Sequence, residues 1–304
     1  MSKTVDMRVT IAGVEWKNPV TTASGTFERE ASGAFYDLSA LGALTTKGVA
    51  SEPWEGNPTP RIAEVYGGML NAVGLQNPGM DVFLEKELPL LKEYKTPVIV
   101  NIAGRSVEDY CRAAERLDDS PADMLELNIS CPNVKEGGIG FGTDPKMAAR
   151  VTAAVRKATG KPLIVKLTPN VTDIVQIAKA VEGEGADALS LINTLLGMRI
   201  DVERKRPVLA NKMGGFSGPA VKPVAVRMVY QVSRAVSLPI IGLGGIMTGE
   251  DAAEFLLAGA DAVAVGTAAL TDPTAPVRIV KELRSYMERQ NFSSIRELKE
   301  AFSE

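Results

Sequence analysis

Eight short apolar runs, each followed by a stretch long enough for a helix, constrain this chain more than any other feature. They are Pro19–Gly25, Ala43–Val49, Pro97–Gly104, Met124–Pro132, Pro162–Pro169, Ala188–Thr194, Pro239–Ile246 and Ala262–Ala268. Hydrophobic residues within them are nearly continuous rather than alternating, the pattern of strands buried on both faces. Pro19, Pro97, Pro162 and Pro239 open four of the runs, which suits a first strand position. Amphipathic segments lie between them: Val107–Leu117, Pro145–Ala158, Ile174–Glu184, Val224–Val236 and Asp251–Leu257. Ser106, Asp144 and Thr172 or Asp173 stand where N-caps belong, and Gly160, Gly183 and Gly185 where helices stop. Such alternation implies right-handed crossovers and a parallel sheet. Eight units in roughly 250 residues is the count of a (β/α)8 TIM barrel. The expected α/β architecture is therefore a single (β/α)8 barrel domain over residues 1–304, with excursions after strands 2, 4 and 6. An open doubly wound sheet is the competing arrangement, but neither a G-x-G-x-x-G fingerprint nor a P-loop is present to favour it.

Composition narrows the chemistry. At 304 residues and 45% hydrophobic the chain has material for a large core, and a net charge of -3 with no Lys/Arg run argues against a broad nucleic-acid surface. Met1 to Thr10 reads as neither a signal nor a transit peptide, and no apolar run reaches membrane-spanning length, so a cytoplasmic location is expected. Two cysteines, Cys111 and Cys131, cannot build a disulfide framework, nor alone hold an iron–sulfur cluster. Histidine is absent altogether. The commonest general base is missing, and the usual zinc and haem sites are not expected. Any redox cofactor is expected to be organic.

The C-terminal strand ends carry, in order, Ser24, Lys47, Asn101, Asn128 with Cys131, Lys166, Asn193 with Thr194, Gly244-Gly245, and Gly266-Thr267. Barrel active sites lie at that face. Buried lysines are costly unless they meet an anion or a polarised group, so Lys47 and Lys166 imply a negatively charged or carbonyl-rich ligand. The alternative is a local carboxylate partner, for which Glu126 is the candidate. The glycines of Gly242–Ile246 and the Gly266-Thr267 turn suit phosphate, the common ligand after strands seven and eight. Asn71, Asn128, Asn193 and Thr194 offer donors and acceptors that read a planar ligand along its edge. Asn71 lies in the long excursion after strand two; a second runs from Leu195 to Gly218, where Arg199–Glu203 and Pro207–Asn211 are expected to form a hairpin over the mouth. Cys131 precedes a Pro step and glycines 137, 138, 140 and 142, a pattern expected of a loop that closes over ligand. With a thiol pKa near the reference of about 8.5 it would be mostly neutral at pH 7, and Lys47 nearby would lower it. Cys111, in a helical segment without other chemistry, reads as structural.

These residues resemble the dihydroorotate dehydrogenases over nearly the whole chain. The resemblance runs through Thr22-Ala23-Ser24-Gly25, Thr45-Thr46-Lys47-Gly48, Asn71-Ala72-Val73-Gly74-Leu75, Asn128-Ile129-Ser130-Cys131-Pro132-Asn133, Val165-Lys166-Leu167, Ile192-Asn193-Thr194, Gly244-Gly245-Ile246 and Val265-Gly266-Thr267. It implies FMN in the barrel mouth, one per chain. Ser24, Lys47, Gly48, Asn101, Asn128, Lys166, Ile192 and Gly218 would line the flavin, and Gly244, Gly245, Gly266 and Thr267 would hold its phosphate. Lys47, Asn71, Ala72, Val73, Gly74, Leu75, Asn128, Asn193 and Thr194 would hold dihydroorotate, with Cys131 as the base. The implied reaction removes a proton from C5 and passes a hydride from C6 to the flavin. The sequence around Cys131–Lys135 and Pro207–Gly218 is most similar to the NAD-linked form, in which the FMN chain, as a homodimer, joins a second subunit carrying FAD and a [2Fe–2S] cluster in a heterotetramer. The fumarate-using homodimer, a catalytically silent FMN- or phosphate-binding barrel, and a flavin barrel acting on other pyrimidines or on tRNA are the competing readings.

Overall fold

A computed structural model describes residues 5–131 and 139–303. Its centre is a ring of eight short parallel strands: β1 (Val20–Thr22), β2 (Leu44–Thr45), β3 (Val98–Ile102), β4 (Met124–Asn128), β5 (Leu163–Lys166), β6 (Ala188–Leu191), β7 (Ile240–Leu243) and β8 (Ala262–Val265). Their order is β1-β8-β7-β6-β5-β4-β3-β2. The ring closes at β1 and β2 by a parallel bridge from Thr21 to Ala43. Threonine hydroxyls reinforce that seam: Thr21 Oγ1 donates to Ala43 O (2.9 Å) and Thr22 Oγ1 to Thr45 O (3.1 Å). The expected barrel is present, with each strand shorter than its apolar run.

The reason the runs read as continuous is visible in the packing. Outward residues such as Val98, Val100, Leu125, Leu127, Val165, Leu189 and Val263 pack with the surrounding helices. Inward residues at the base of the strands, Ile99, Met124, Ile164, Ala188, Ile241 and Ala262, form a second apolar cluster with Ile11 and Trp16. Those two belong to an N-terminal hairpin, Val9–Ile11 paired with Val14–Trp16, that plugs the bottom of the barrel. Above this floor the inward positions turn polar yet stay buried: Thr21, Thr45, Asn101, Glu126 and Ser190.

Expected caps are in place. Ser106 and Asp109 form a capping box, Asp144 accepts from Lys146 N and Met147 N, and Asp173, rather than Thr172, caps the helix Ile174–Gly183. The helices expected at 224–236 and 251–257 begin two residues earlier, at Lys222 and Gly249. Thr248 caps the second through a further capping box.

The excursions after β2 and β6 meet. Ile62–Val65 pairs with Gly68–Asn71, Leu195–Met198 pairs with Met213–Ser217, and Gly68–Asn71 joins the two pairs in a four-stranded antiparallel sheet. The expected small hairpin forms with a different return arm: Ile200–Asp201 pairs with Arg206–Pro207, and residues 202–205 make the turn. Pairing beyond Val208, whose N–H reaches Arg199 O at 3.0 Å, gives way to the turn that leads into Met213–Ser217. In the excursion after β4, residues 132–138 lie outside the described residues, and with them most of the expected closing loop. Gly140 and Gly142 belong to a one-turn helix, Ile139–Gly142, rather than to a loop. A Cβ on Gly142 would stand 2.2 Å from Ile129 O, so glycine there serves close packing on the end of β4.

Candidate active site

One cavity opens at the C-terminal end of the barrel, roofed on one side by the excursion sheet. Its non-atom space is about 1270 Å³ with the open mouth included. That compares with ~300–1,000 Å³ for typical small-molecule pockets. Most of the expected residues line it: Ser24, Lys47, Asn71, Val73, Gly74, Leu75, Asn128, Cys131, Lys166, Ile192, Asn193, Thr194, Gly244, Gly245, Gly266 and Thr267. Gly48, Asn101, Ala72 and Gly218 do not reach the wall, and geometry gives each another place. A Cβ on Gly48 would lie 2.8 Å from Asn101 Oδ1, so this glycine makes room for that amide. Asn101 is fully buried in the polar layer below the cavity. Ala72 is buried behind Asn71, where its N–H donates to Arg61 O. Gly218, at φ +113, backs onto Gly68, and a Cβ there would lie 2.6 Å from Gly68 Cα.

Lys47 follows β2 and is half-buried. Burial pushes its ammonium pKa down; the negative charge of a Cys131 thiolate works against that, and Arg61 and Lys166 depress it further. A Cβ on Gly25 would lie 3.2 Å from Lys47 Nζ, so glycine leaves the amine space. Lys166 ends β5 and meets the carboxylate that the sequence suggested: its Nζ lies 3.7 Å from Glu126 Oε2, both side chains buried. The carboxylate alternative thus holds for Lys166, although the residue also lines the cavity.

A hydrogen-bonded chain runs from that carboxylate to the mouth. Ser190 Oγ donates to Glu126 Oε1 (2.7 Å) and Asn101 Nδ2 to Glu126 Oε2 (2.5 Å). Asn128 Nδ2 donates to Asn101 Oδ1 (3.2 Å), and Ser130 Oγ and N–H donate to Asn128 Oδ1 (3.1 and 3.3 Å). Asn193 Nδ2 donates to Ser130 Oγ (2.8 Å), and Thr194 N–H to Asn193 Oδ1 (2.7 Å). Thr194 Oγ1 is buried on the cavity wall and finds no hydrogen-bond partner among the described residues.

Cys131 is 7% exposed and packs with Trp54, Leu75, Ala50 and Ala103 while lining the cavity. It is not in a disulfide. Cys111, by contrast, sits half-buried on the helix Val107–Asp118, its thiol pKa pushed up by burial and by Glu115 and Glu108. Gly244 (φ +127) and Gly245 (φ +85) have conformations that side chains rarely adopt, and a Cβ on either would meet Ala225 or Lys222 at 2.8 Å. The wall there is accordingly bare backbone. Thr267 Oγ1 donates to Ser217 Oγ at 2.8 Å, which ties the last barrel turn to the excursion sheet.

Sequence reasoning missed the wall supplied by that sheet, notably Ile62, Met69, Phe216 and Ser217. Their alternation in short β-rich segments was available as a signal, but not which segment they pair with. It also missed Arg61, whose guanidinium donates to Asn57 O, Glu55 O and Gln76 Oε1 and adds positive charge near Lys47. No group of three or more His, Cys, Asp or Glu suited to a metal ion occurs among the described residues.

Comparison with known proteins gives a consistent picture. The family profile described as dihydroorotate dehydrogenase matches residues 6–287. A protein of Alkaliphilus metalliredigens named dihydroorotate dehydrogenase B (NAD(+)), catalytic subunit, is 62% identical over 97% of this chain and 98% of its own length. Proteins of the same name from Alkaliphilus oremlandii and Geobacter sp. strain M21 are 61% and 59% identical, each over 96% of this chain and 97% of their own length.

Proposed function

This chain belongs to the dihydroorotate dehydrogenase family, and on that premise we propose that it oxidises (S)-dihydroorotate to orotate in de novo pyrimidine biosynthesis, with hydride transfer to FMN and onward passage of electrons to NAD⁺ through a partner subunit. The observation that carries the reading is the meeting, in one cavity, of Cys131, Lys47, Asn71, Asn128, Asn193 and Thr194 with the glycine turns at Gly244-Gly245 and Gly266-Thr267.

The residues present fit FMN. Gly244 and Gly245, at positive φ and without side chains, line the cavity with backbone, which suits close approach of a phosphate. Lys166 and the buried amides suit an electron-rich ring. In this reading Gly244, Gly245, Gly266 and Thr267 hold the phosphate, while Ser24, Lys47, Asn128, Lys166 and Ile192 line the flavin. Gly48, Asn101 and Gly218 support that wall from behind. Bound FMN supplies the two-electron acceptor for a hydride from C6. The chain does the rest. Lys47 and the amides of Asn71, Asn128 and Asn193 bind the substrate's carboxylate and ring amides, with Thr194 Oγ1 offering a donor that no described residue uses. Leu75, Trp54 and Ala103 surround the thiol and exclude water from it. Cys131, as thiolate, takes the C5 proton, a role open to it because the chain has no histidine. Residues Asn71 to Leu75 form one side of the substrate site, with Ala72 positioning its neighbours.

The relatives' names, which include NAD(+) and catalytic subunit, support the NAD-linked form. In that form FAD and a [2Fe–2S] cluster sit on the partner, and a homodimer of this single-domain barrel chain pairs with it as a heterotetramer. No helix among the described residues is long and apolar enough to cross a membrane, which fits a cytoplasmic setting.

Cys131→Ala tests the reading. The variant is expected to keep the yellow FMN spectrum but to slow flavin reduction by dihydroorotate by a factor of about 10²–10⁴ in stopped flow. Reduction at the native rate would remove Cys131 from this role.

A further inference from the structure

We infer that Asn170, which the proposed reading does not use, is a positioning residue for the substrate side of the cavity. The inference rests on that reading and deepens it. Asn170 lies in the loop between β5 and the helix Ile174–Gly183. Its side chain reaches across to the strand that leaves β6 for the excursion sheet. Oδ1 accepts from Leu196 N–H (2.8 Å), and Nδ2 donates to Thr194 O (3.0 Å). A backbone N–H only donates and a backbone carbonyl only accepts, so these two groups fix the sense of the amide. Nδ2 also donates to Thr168 Oγ1 (3.0 Å), which accepts from Asn170 N–H as well (3.2 Å). Thr168 is buried, so the clip is seated on the barrel.

What the clip holds is the step where the chain passes from barrel to roof. Below that step, Ile192 N–H donates to Leu243 O and Asn193 N–H to Leu167 O. Beyond it, Leu195 pairs with Phe216 and Leu196 with Gly215 in the excursion sheet. Asn193 and Thr194, two of the proposed substrate contacts, stand at the step, and Thr194 N–H donates to Asn193 Oδ1 (2.7 Å). Thr194 Oγ1 occupies the space that a side chain on Gly215 would need, so a shift of the step relative to the sheet moves the hydroxyl. Tying both sides of Leu195 to the barrel loop orders that hydroxyl and the Asn193 amide before ligand arrives, which lowers the entropic cost of binding. The glycine turns proposed for the phosphate follow other strands, β7 and β8, and Asn170 bonds to neither.

The test is orotate affinity of the FMN-loaded chain by titration calorimetry, with flavin content read from the absorbance of the same samples. Asn170→Ala removes both bonds and is expected to weaken orotate about tenfold at about pH 7.5, with flavin content and spectrum as in native. Asn170→Asp is expected to do the same at that pH, where its carboxylate accepts from Leu196 N–H but sets a bare oxygen against Thr194 O. The facing oxygen disfavours the charged form and raises the introduced carboxyl above the ordinary value of about 3.9. Once protonated, the acid offers one donor and one acceptor, like the amide it replaces. Its shortfall against native is therefore expected to shrink to within about threefold at about pH 5, while Asn170→Ala keeps its full shortfall. Native-like orotate binding by Asn170→Ala overturns the inference. So does a loss of flavin as large as the loss of orotate, which would make Asn170 a general prop. An Asn170→Asp shortfall that is the same at both pH values also overturns it, and that arm serves if Asn170→Ala does not fold. Native protein that does not bind orotate overturns the functional reading, and the inference with it.

Discussion

Lys47 shows how one residue's surroundings set a measurable property. Its amine is drawn into the cavity, and burial, with Arg61 and Lys166, outweighs the negative charge of Cys131, so it gives up its proton more easily than an ordinary lysine. The charged form is the one that attracts a carboxylate. Anion affinity is therefore complete at pH values below the depressed pKa and is lost as pH rises through it. That loss should begin below the ordinary lysine value of about 10.4. Orotate binding followed against pH is expected to weaken on the alkaline side in the native chain. The same decline should be missing in Lys47→Arg, whose guanidinium stays charged. An identical alkaline decline in both proteins would dissociate it from Lys47. Gly48 carries a second lesson at this scale. The resemblance places it in the flavin site, and the structure adds a second demand: a Cβ there would stand 2.8 Å from Asn101 Oδ1. A motif residue can be required because of the neighbour behind it.

Among the elements, the joint between helices Lys222–Ser233 and Gly249–Leu257 stabilises the glycine turn at Gly244-Gly245. Lys222 Nζ donates to Asp251 Oδ1 and Glu254 Oε2, both at 2.6 Å, and Lys222 Cβ packs close to where a side chain on Gly245 would stand. Burial by itself would raise the Asp251 pKa, but Lys222 and the Met247 N–H outweigh it and hold the carboxyl below its usual range. A depressed carboxyl contributes stability above its unfolded value, about 3.9, and that contribution is lost as pH falls through the folded value. Lys222→Ala is expected to cost about 1–3 kcal/mol in urea unfolding at neutral pH, since it leaves the partly buried Asp251 Oδ1 without its ammonium partner. The cost should shrink toward zero in acid, and a pH-independent cost would mean that lost packing, not charge, is responsible. Most barrel elements were legible in the sequence because each strand sits in a short, largely apolar run and the caps are local. Ser106 and Asp144 needed only their own neighbours to be read. The excursion sheet was not legible: Asn71 and Gly215 are partners across 144 positions, and nothing local says so. The N-terminal hairpin escaped for a different reason, since three-residue strands carry too little period to register.

For the whole molecule, the barrel stacks an apolar floor, a buried polar layer and a cavity along one axis. Trp16 and Ile11 close the bottom. Among the described residues no group of three or more His, Cys, Asp or Glu suits a metal ion, and the sequence holds two cysteines and no G-x-G-x-x-G motif. Most residues that line the cavity were readable as a set because nearly every strand end brings a polar or glycine residue to it, whereas an acceptor on another chain would leave no mark in this sequence. In the NAD-linked reading, the purified chain loaded with FMN should be reduced by dihydroorotate in a single turnover and then stall. Steady-state reduction of NAD⁺ should be at least about 100-fold faster when the FAD and iron–sulfur subunit is added, as expected when separate sites must be joined before transfer. Brisk NAD⁺ turnover by the single chain would remove the need for a partner. Brisk turnover with fumarate in place of NAD⁺ would move the chain to the homodimeric form, because the same cavity would then serve both half-reactions.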